Sequence, residues 1–544
     1  MNLGQYKDTN ILLGTYLPIL GSTANLIAWV ENPNGNTDQN PYNDTITTSS
    51  LGCNRILKGD YTVGGASADF ANIAQVFLEL TTCGIDSNVT FNILSGTYTE
   101  NMSFDTLIPG MTTKDTITFT SQAKNADSVI LKPTGVAISL SNVYNIVFKE
   151  LTIDATNNGT YGIALNNSCE NIEINSCYIK LNTALDTTGS NYAGIYKPSG
   201  TGVANNIRIL NNTIEGGTYN IYFYGGTGTS NYANNIIIEG NTLKNAYRGG
   251  AYLYYNKLSS ISNNTITSRL TGSSSAYYGL YISHSNVKMV NANKIHTPTT
   301  ITTPYGIYAY YMNYYNASSA GLISNNEIIL RASGANGHGM YCYYGKLNIY
   351  HNSIHIVTSA AAKGLYVYTS TTYPISIRQN NIGSSSSMAY PIYLTSLNGL
   401  TLNNNNYYGS YIGYINTGIS NMSLWKMATG QDVNSTNINP NFVDVNVGLK
   451  TDGLGLTCVK NNEVQYDITG AARGIITTVG AYNDFIILPY NIMPKTLESP
   501  ALTISSGVSD SIYVTIANMG ANTITFMNIH WQLNNGVKQT ISWS

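Results

Sequence analysis

The chain has 544 residues and a formal net charge of −2, and only 10% of its residues are charged. An ordinary globular domain has about 25% charged residues, so this composition leaves no basic surface for nucleic acid and no acidic tail. Disorder is excluded as well, because 43% of the residues are apolar and 11% are aromatic. No apolar run reaches the roughly 18 residues that a membrane span requires.

The amino-terminal region, residues 1–48, predicts two strands, at Asn10–Leu17 and Asn25–Val30. Two strands are too few to close a sandwich. The residues from Met1 onward lack the basic and apolar regions of a secretory signal peptide. We therefore expect that any export signal was removed or that the chain is a piece of something longer.

The next region, residues 49–130, contains a predicted helix at about 67–83. Phe70, Ile73, Val76, Phe77 and Leu80 follow the period of an amphipathic helix. A helix at this place would cap the open end of a solenoid core. Strands are predicted after it, at 89–94 and 116–120.

Six cysteines are too few for a disulfide scaffold in a chain of this length. Cys53 and Cys83 flank the predicted helix and could form one disulfide. Cys177 and Cys342 are interpreted as small buried thiols. Cys169 and Cys177 are eight residues apart and have no CxxC partner, so no zinc site is predicted.

A short unit recurs through residues 131–486: an apolar residue, two variable residues, Asn, any residue, and an apolar residue. Successive Asn residues are 23 to 33 positions apart, a spacing that is typical of solenoid repeats. We expect these Asn residues to occupy a turn that tolerates left-handed geometry and to hydrogen-bond along the axis as a ladder. The predicted ladder consists of Asn212, Asn241, Asn264, Asn293, Asn326, Asn352, Asn380 and Asn405.

A second unit lies between the Asn units, with Gly or a polar residue followed by an alternation of apolar residues and Tyr. Strict alternation predicts a strand, so each repeat holds at least two short strands. A strand pair of this size buries its apolar face only by stacking on the next coil. The sequence therefore predicts an all-β chain, a right-handed parallel β-helix of the pectate-lyase-like type.

Alternation also predicts that two columns of Tyr point outward. The column could stiffen the sheet by stacking on itself, or it could form a flat face for sugars or another partner. The first column is Tyr196, Tyr222, Tyr252, Tyr281, Tyr308, Tyr341, Tyr366 and Tyr393, and the second is Tyr224, Tyr254, Tyr310, Tyr343 and Tyr368.

The last region, residues 487–544, predicts three or four strands after a linker, among them Ser511–Ala517, Thr523–Leu533 and Gln539–Trp543. These strands, like those of residues 1–48, cannot close a sandwich alone and would leave unpaired edges.

Both ends of the predicted β-helix resemble secreted, multidomain surface proteins of Bacteroidetes-type bacteria. The motifs that carry the resemblance are GDYTVGG at 59–65, VTFNI at 89–93, SGTYTE at 95–100, NPNFVD at 439–444, DITG at 467–470 and VGAY at 479–482. This resemblance implies an extracellular or cell-surface bacterial protein. It covers about residues 50–486 and says little about activity, since members include lyase-like and binding proteins.

The terminal strands, joined C-terminus to N-terminus, resemble one bacterial adhesion-type Ig-like domain of the CARDB type. Residues 487–544 would supply its N-terminal part and residues 1–48 its C-terminal part. Two interpretations stay open. The chain is one period cut from a tandem array, which we favour, or successive chains complete each other's sandwich head to tail by strand donation, as a filament would.

Catalysis is the less favoured function, because a β-helix lyase or hydrolase needs grouped carboxylates. No Asp occurs between Asp186 and Asp432, and Glu215, Glu239 and Glu327 are the only carboxylates in that stretch. We expect no metal and no cofactor. His351 and His355 lack a third ligand and are interpreted as surface or turn residues.

Arg208, Arg248 and Arg378 could act as a lyase base, but no calcium ligands accompany them. The sequence thus favours a non-catalytic, adhesin-like surface protein that binds a polysaccharide or a cell-surface partner. A polysaccharide lyase or glycoside hydrolase is the alternative.

Overall fold

The structure is a computed structural model, and it forms an all-β parallel solenoid of about 12 turns with 5% helix. The residues it describes are 3–17, 19, 22–40, 42–53, 55–157, 160–184, 192–200, 202–226, 228, 231–315, 318–452, 455–483, 489–499, 506–509, 511–518 and 520–544.

Three parallel sheets run along the solenoid. The Asn-following sheet has 12 strands, one for each turn. Its strands are Gly96–Tyr98, Val129–Leu131, Thr152–Asp154, Tyr178–Lys180, Thr213–Glu215, Thr242–Ala246, Thr265–Ser268, Lys294–His296, Glu327–Ala332, Ser353–Thr358, Asn381–Ser384 and Asn406–Tyr408.

The Tyr-bearing sheet begins with Met102–Phe104 and with the first halves of the long strands Ile138–Lys149 and Tyr161–Asn175. It continues through Ala193–Lys197, Tyr219–Tyr224, Gly249–Tyr254, Ala276–Ser283, Thr303–Tyr310, His338–Tyr343, Lys363–Tyr368, Tyr390–Leu394 and Gly413–Ile415, and the antiparallel strand Thr417–Ile419 follows.

The bent sheet lies before each ladder Asn and contains the second halves of the same two long strands. Its other strands are Leu57–Val63, Ile85–Ile93, Ile117–Ser121, Ala204–Leu210, Ala233–Glu239, Asn256–Ser262, Asn286–Val287, Met289–Asn291, Gly321–Ser324, Leu347–Tyr350, Ile375–Arg378 and Leu400–Asn403.

The core is a stack of aliphatic side chains that repeats in every coil. Leu280 pairs with Ile307 across neighbouring coils, so their side chains point inward together while Tyr281 and Tyr308 point outward. Space inside is tight at Gly279, where an added Cβ would lie 2.4 Å from Cγ2 of Ile295. This close approach explains why a small residue such as Gly279 precedes the inward-pointing residue, here Leu280, in the Tyr-bearing strands.

The Asn ladder runs as one unbroken chain of hydrogen bonds. Between neighbouring coils, the backbone N–H and the side-chain amide of one Asn both donate to Oδ1 of the next, as from Asn293 to Asn326 at 3.0 and 2.9 Å. All eight Asn side chains are buried, so each amide also needs a carbonyl partner, and Asn293 donates to Ile261 O at 2.9 Å.

The left-handed position of this turn is not the ladder Asn but the residue before it. Asn263, Ala292, Asn325 and His351 have φ of 58°, 56°, 53° and 54°. The turn therefore does contain a left-handed residue, as expected, but that residue precedes the ladder Asn. The ladder Asn is selected for its amide, and the preceding residue makes the bend.

Two helices lie at the ends of the core. Helix α1, Ile73–Thr82, begins at Asn72, whose side chain accepts a hydrogen bond from Gln75 N, and buries Ile73, Val76 and Leu80. Helix α2, Met422–Thr429, begins at Asn421 and buries Trp425 against the last coil. Short 3₁₀ turns occur at Pro33–Gly35 and Ala126–Ser128.

The possible disulfide between Cys53 and Cys83 is not formed. The Sγ atom of Cys53 instead lies 3.4 Å from the carbonyl oxygen of Thr82 and donates to it. Cys177 and Cys342 are buried in the core, and burial raises the pKa of each thiol to about 12.

A C-terminal segment, residues 440–452 and 455–483, covers part of the outer surface of the solenoid and contains the hairpin Thr457–Val459 and Ile476–Thr478. Its Arg473 guanidinium is buried and donates to Oδ1 of Asn325 at 2.8 Å. Its Ala481 N donates to Oγ of Ser353 at 2.9 Å. The segment thus binds to turns of several successive coils.

The terminal strands form antiparallel hairpins. The amino-terminal hairpin pairs Thr23–Trp29 with Thr45–Leu51. The two carboxy-terminal hairpins pair Ile492–Ser499 with Tyr513–Asn518 and Met527–Trp531 with Gln539–Trp543. The expected strand at residues 10–17 is not formed, since these residues have no paired partner strand in the described chain.

Among the described residues, no helix has both the length and the apolar character needed to cross a membrane.

Candidate functional site

The outer face of the Tyr-bearing sheet carries a continuous column of ten stacked tyrosine rings. Consecutive ring centroids are 3.9 to 5.6 Å apart, and Tyr308 and Tyr341 are parallel within 3°. From Tyr196 onward the stack exists because the parallel register places one Tyr directly over the next, whereas Tyr161 is paired with Ala193 and only its ring reaches Tyr196. The main column is Tyr161, Tyr196, Tyr222, Tyr252, Tyr281, Tyr308, Tyr341, Tyr366, Tyr393 and Tyr414.

The second column lies two residues further along each strand and contains a histidine that the sequence interpretation omitted. His284 stacks on Tyr254 at 5.0 Å and contacts Tyr310 at 5.6 Å. It thereby fills the gap between the two halves of the column. The members are Tyr224, Tyr254, His284, Tyr310, Tyr343 and Tyr368.

A third column, absent from the sequence prediction, lies on the other side of the main one. Tyr278 and Tyr305 stack at 4.9 Å, and Tyr305 and His338 stack at 5.2 Å. These rings stand perpendicular to the main column, as Tyr305 does to Tyr308 at 90°. Burial lowers the pKa of His338 to about 3, so this column carries no charge at neutral pH.

Four aromatic residues at the end of the Tyr-bearing strands have left-handed backbones. Tyr255, His284, Tyr311 and Tyr344 have φ of 54°, 46°, 50° and 44°. A bulky residue in this region costs about 1–2 kcal/mol. The conformation turns the three Tyr rings edge-on to the preceding Tyr, as Tyr311 is to Tyr310 at 85°, whereas His284 stacks on Tyr254. Ring contacts therefore offset backbone strain, and such strain often marks functional surfaces.

Stacking determines what the Tyr columns present to solvent. Because each ring face contacts the next ring, the exposed parts are ring edges and hydroxyl groups. The hydroxyl groups of Tyr252 and Tyr281 are hydrogen-bonded to each other. Burial raises the pKa of Tyr305 to about 12, so the surface is neutral and polar at its tips.

The three carboxylates of the central coils occupy separate settings. Glu215 accepts from Tyr178 OH at 2.5 Å and lies 3.3 Å from Lys244 Nζ. Glu327 is fully buried under the C-terminal segment and accepts from Tyr482 OH at 2.6 Å. Glu239 follows the last inward residue of its strand and is half-buried. Each of the first two is already bound to its own donors.

The histidine pair at 351 and 355 is buried and not on the surface, although His351 does occupy a turn, the left-handed position before Asn352. His351 is completely buried and His355 is 8% exposed. His355 packs edge-on against Phe442 of the C-terminal segment. Burial lowers the pKa of both imidazoles. Within the described ranges, no group of three His, Cys, Asp or Glu residues could hold a metal ion.

The expected arginine candidates are also separated from any such group. Arg208 lies 3.5 Å from Glu173 and Arg378 is exposed at the end of its strand. Arg248 precedes the Tyr-bearing strand Gly249–Tyr254. The structure therefore brings the aromatic residues together but not the ionisable ones.

No protein-family model matches the chain, and no curated protein is significantly similar to it.

Proposed function

We propose that this chain is an extracellular, non-catalytic surface protein of adhesin-like type whose Tyr columns are its contact surface. The main column of ten rings, from Tyr161 to Tyr414, is the observation that carries the proposal. Tyr rings that are held in place lose little side-chain entropy on binding, which suits a recognition surface.

The partner that suits this surface is flat and repetitive. Ring faces are occupied by neighbouring rings, so a single sugar finds no open face on which to stack. A rigid row of hydroxyl groups at about 4.8 Å intervals, the strand spacing, suits packed polysaccharide chains. The resemblance at both ends of the solenoid to secreted bacterial surface proteins supports a cell-surface location.

Depletion of the chain from solution by insoluble polysaccharides tests the proposal. We compare the unmodified chain with a triple variant, Tyr281→Phe, Tyr308→Phe and Tyr366→Phe, which keeps the stack and removes three hydroxyl groups. Loss of binding in the triple variant, with binding by a Tyr466→Phe control unchanged, supports the Tyr columns as the contact surface. Equal binding by all three proteins contradicts them.

A second candidate function is head-to-tail assembly, and the exposed apolar residues of the terminal hairpins favour it. Trp29 is 64% exposed in the amino-terminal hairpin. The carboxy-terminal hairpins form an apolar cleft of about 400 Å³ lined by Ile516, Ile529, Trp531 and Ile541. We propose that these faces are the halves of an Ig-like sandwich, which either the next period of a tandem array or a second chain would complete.

Sedimentation velocity of the isolated chain over a range of concentrations distinguishes these two arrangements. Growth into filaments that a Trp29→Ser or Trp531→Ser substitution stops supports strand donation between chains. A chain that stays monomeric at high concentration contradicts strand donation between chains. The tandem array is then the remaining interpretation.

A further inference from the structure

The outer face of the bent sheet holds a second column of amides, which differs from the buried ladder. Asn145, Asn171, Asn206 and Asn235 follow one another in successive coils, with φ of 57°, 53°, 53° and 55°. A left-handed residue inside a strand interrupts its pleat and bends it. The bend recurs at the same place in these four successive coils.

The amides of this column bond to one another and keep hydrogen-bonding capacity. The amide of Asn171 donates to Oδ1 of Asn145 at 2.7 Å, and that of Asn235 donates to Oδ1 of Asn206 at 3.0 Å. Oγ of Ser259 donates to Oδ1 of Asn235 at 2.8 Å. A carboxamide has two N–H groups and two acceptor lone pairs, so these bonds use only part of each amide.

The outer face of the bent sheet contains two clefts that share Asn235. One, of about 480 Å³, is lined by Asn145, Asn171, Asn206 and Arg208. The other, of about 450 Å³, is lined by Asn234, Lys257, Asn286 and Lys288. Since both include Asn235, they form one groove that runs along the solenoid axis.

The two clefts differ in charge. Glu173 lines the first cleft together with Arg208, and the amide of Asn206 donates to Oε1 of Glu170 at 3.3 Å, whereas the second cleft carries positive charge alone. Register places Lys257 between Asn234 and Asn286, and Lys288 follows two residues after Asn286. Both lysines are exposed, and the residues that line their cleft include no carboxylate. Arg208 in the other cleft lies beside Glu173 at 3.5 Å. Unpaired cations beside a row of amides are suited to a ligand that has both carboxylates and hydroxyl groups.

We propose that this groove binds a single extended chain of an acidic polysaccharide. Amides of the Asn column bond the sugar hydroxyls, and Lys257 and Lys288 bind carboxylates of the chain. The site lies on a different sheet from the Tyr columns and is independent of the function proposed for them.

The test measures binding of soluble alginate, which carries a carboxylate on each sugar, to the whole chain by calorimetry. Carboxyl-reduced alginate of the same length is the matched ligand control. We expect alginate to bind, and the double variant Lys257→Gln and Lys288→Gln to bind about tenfold more weakly, as the loss of two exposed charge contacts predicts. Salt should weaken binding by the unmodified chain.

Two further variants separate the groove from general charge and from folding. Lys294→Gln removes one exposed charge on the Asn-following sheet, half the charge change of the double variant, and should bind normally. Asn235→Gly keeps the left-handed backbone, removes the amide and should weaken binding several-fold. Equal losses in Lys294→Gln and the double variant, or equal affinity for reduced and native alginate, overturn the proposal.

The Tyr281, Tyr308 and Tyr366 triple Phe variant should bind alginate normally. If the triple variant no longer binds soluble alginate while the double Lys variant still does, alginate binds at the Tyr columns and the groove proposal fails. Absence of alginate binding by the unmodified chain also overturns the groove proposal and leaves the Tyr columns untouched.

Discussion

The amide of Asn405 donates to Oδ1 of Asp432 at 3.3 Å, and this contact closes the Asn ladder at its last coil. Asp432 is buried and also accepts from Nε1 of Trp425 at 2.8 Å and from the hydroxyl of Tyr407 at 3.2 Å. Each ladder Asn needs an acceptor in the following coil, and after the last coil this carboxylate takes that role. The helix that caps the core is thereby bonded to the ladder.

Substitution of Asp432→Ala should lower the free energy of unfolding by about 3 kcal/mol, because it leaves several buried donors without an acceptor. Urea denaturation at constant pH measures the change. Asp452→Ala, a carboxylate of the C-terminal segment that bonds Asn441, is the comparison and should cost less. An equal cost at both positions contradicts a special role for Asp432.

The loss of stability caused by Asp432→Ala should itself depend on pH, and it should be larger in acid. Burial raises the pKa of Asp432, and hydrogen bonds from Ser435, Trp425, Asn405 and Tyr407 offset only part of that rise. A carboxyl whose pKa is higher in the folded state stabilises the fold at low pH and loses this contribution as pH rises through the folded pKa. The stability difference between unmodified chain and Asp432→Ala should therefore shrink as pH rises from about 4, the ordinary Asp value.

Ala292 should be replaceable by Gly with a gain in stability. It has φ of 56°, which costs a residue with a Cβ about 1–2 kcal/mol. We expect Ala292→Gly to raise the free energy of unfolding by about 1 kcal/mol, after the greater flexibility of Gly in the unfolded chain is counted. Ala309→Gly, at a buried strand position, should lower it instead.

The Asn ladder and the first two Tyr columns could be predicted from the sequence because the same residue type recurs at the same place in successive repeats. Asn293 and Tyr308 recur at equivalent places in successive repeats, and strand alternation decides which way each side chain points. Stacking then follows from the parallel register.

Features that depend on contacts between distant parts of the chain could not be predicted. His351 reads as a turn residue, and it is buried because residues after 440 cover that turn. Tyr278 lies three positions before Tyr281, and strand alternation does not predict that the two rings are perpendicular. Kinks at Asn206 and Asn235 have no signal beyond Asn itself, which is common throughout this chain.

Tyr308 tests the energetic role of the main column. Its ring stacks on Tyr281 and Tyr341, each at 4.8 Å. Each aromatic contact contributes about 0.5–1.5 kcal/mol, so Tyr308→Ala should lower the free energy of unfolding by about 2 kcal/mol or more. Tyr308→Phe keeps both contacts and should change it little. Equal destabilisation by Ala and Phe would show that the hydroxyl, not the ring, stabilises the column.

Acid should release the C-terminal segment from the solenoid. Burial alone would raise the pKa of Glu327, but hydrogen bonds from His296, Leu449 N and Tyr482 outweigh it and lower the pKa. A carboxyl with a lowered folded pKa contributes stability above its unfolded value, about 4.3, and loses it as pH falls through the folded pKa.

Hydrogen exchange of the C-terminal segment, corrected for the intrinsic effect of pH, should therefore show protection at pH about 7 that is lost in acid below about pH 4. Glu327→Gln should weaken protection at neutral pH and reduce its dependence on pH, because the amide replaces an ionised acceptor with a neutral one. Glu239→Gln, a half-buried carboxyl on the bent sheet, is the matched control and should behave as the unmodified chain does. If Glu327→Gln keeps the full acid response, another group anchors the segment.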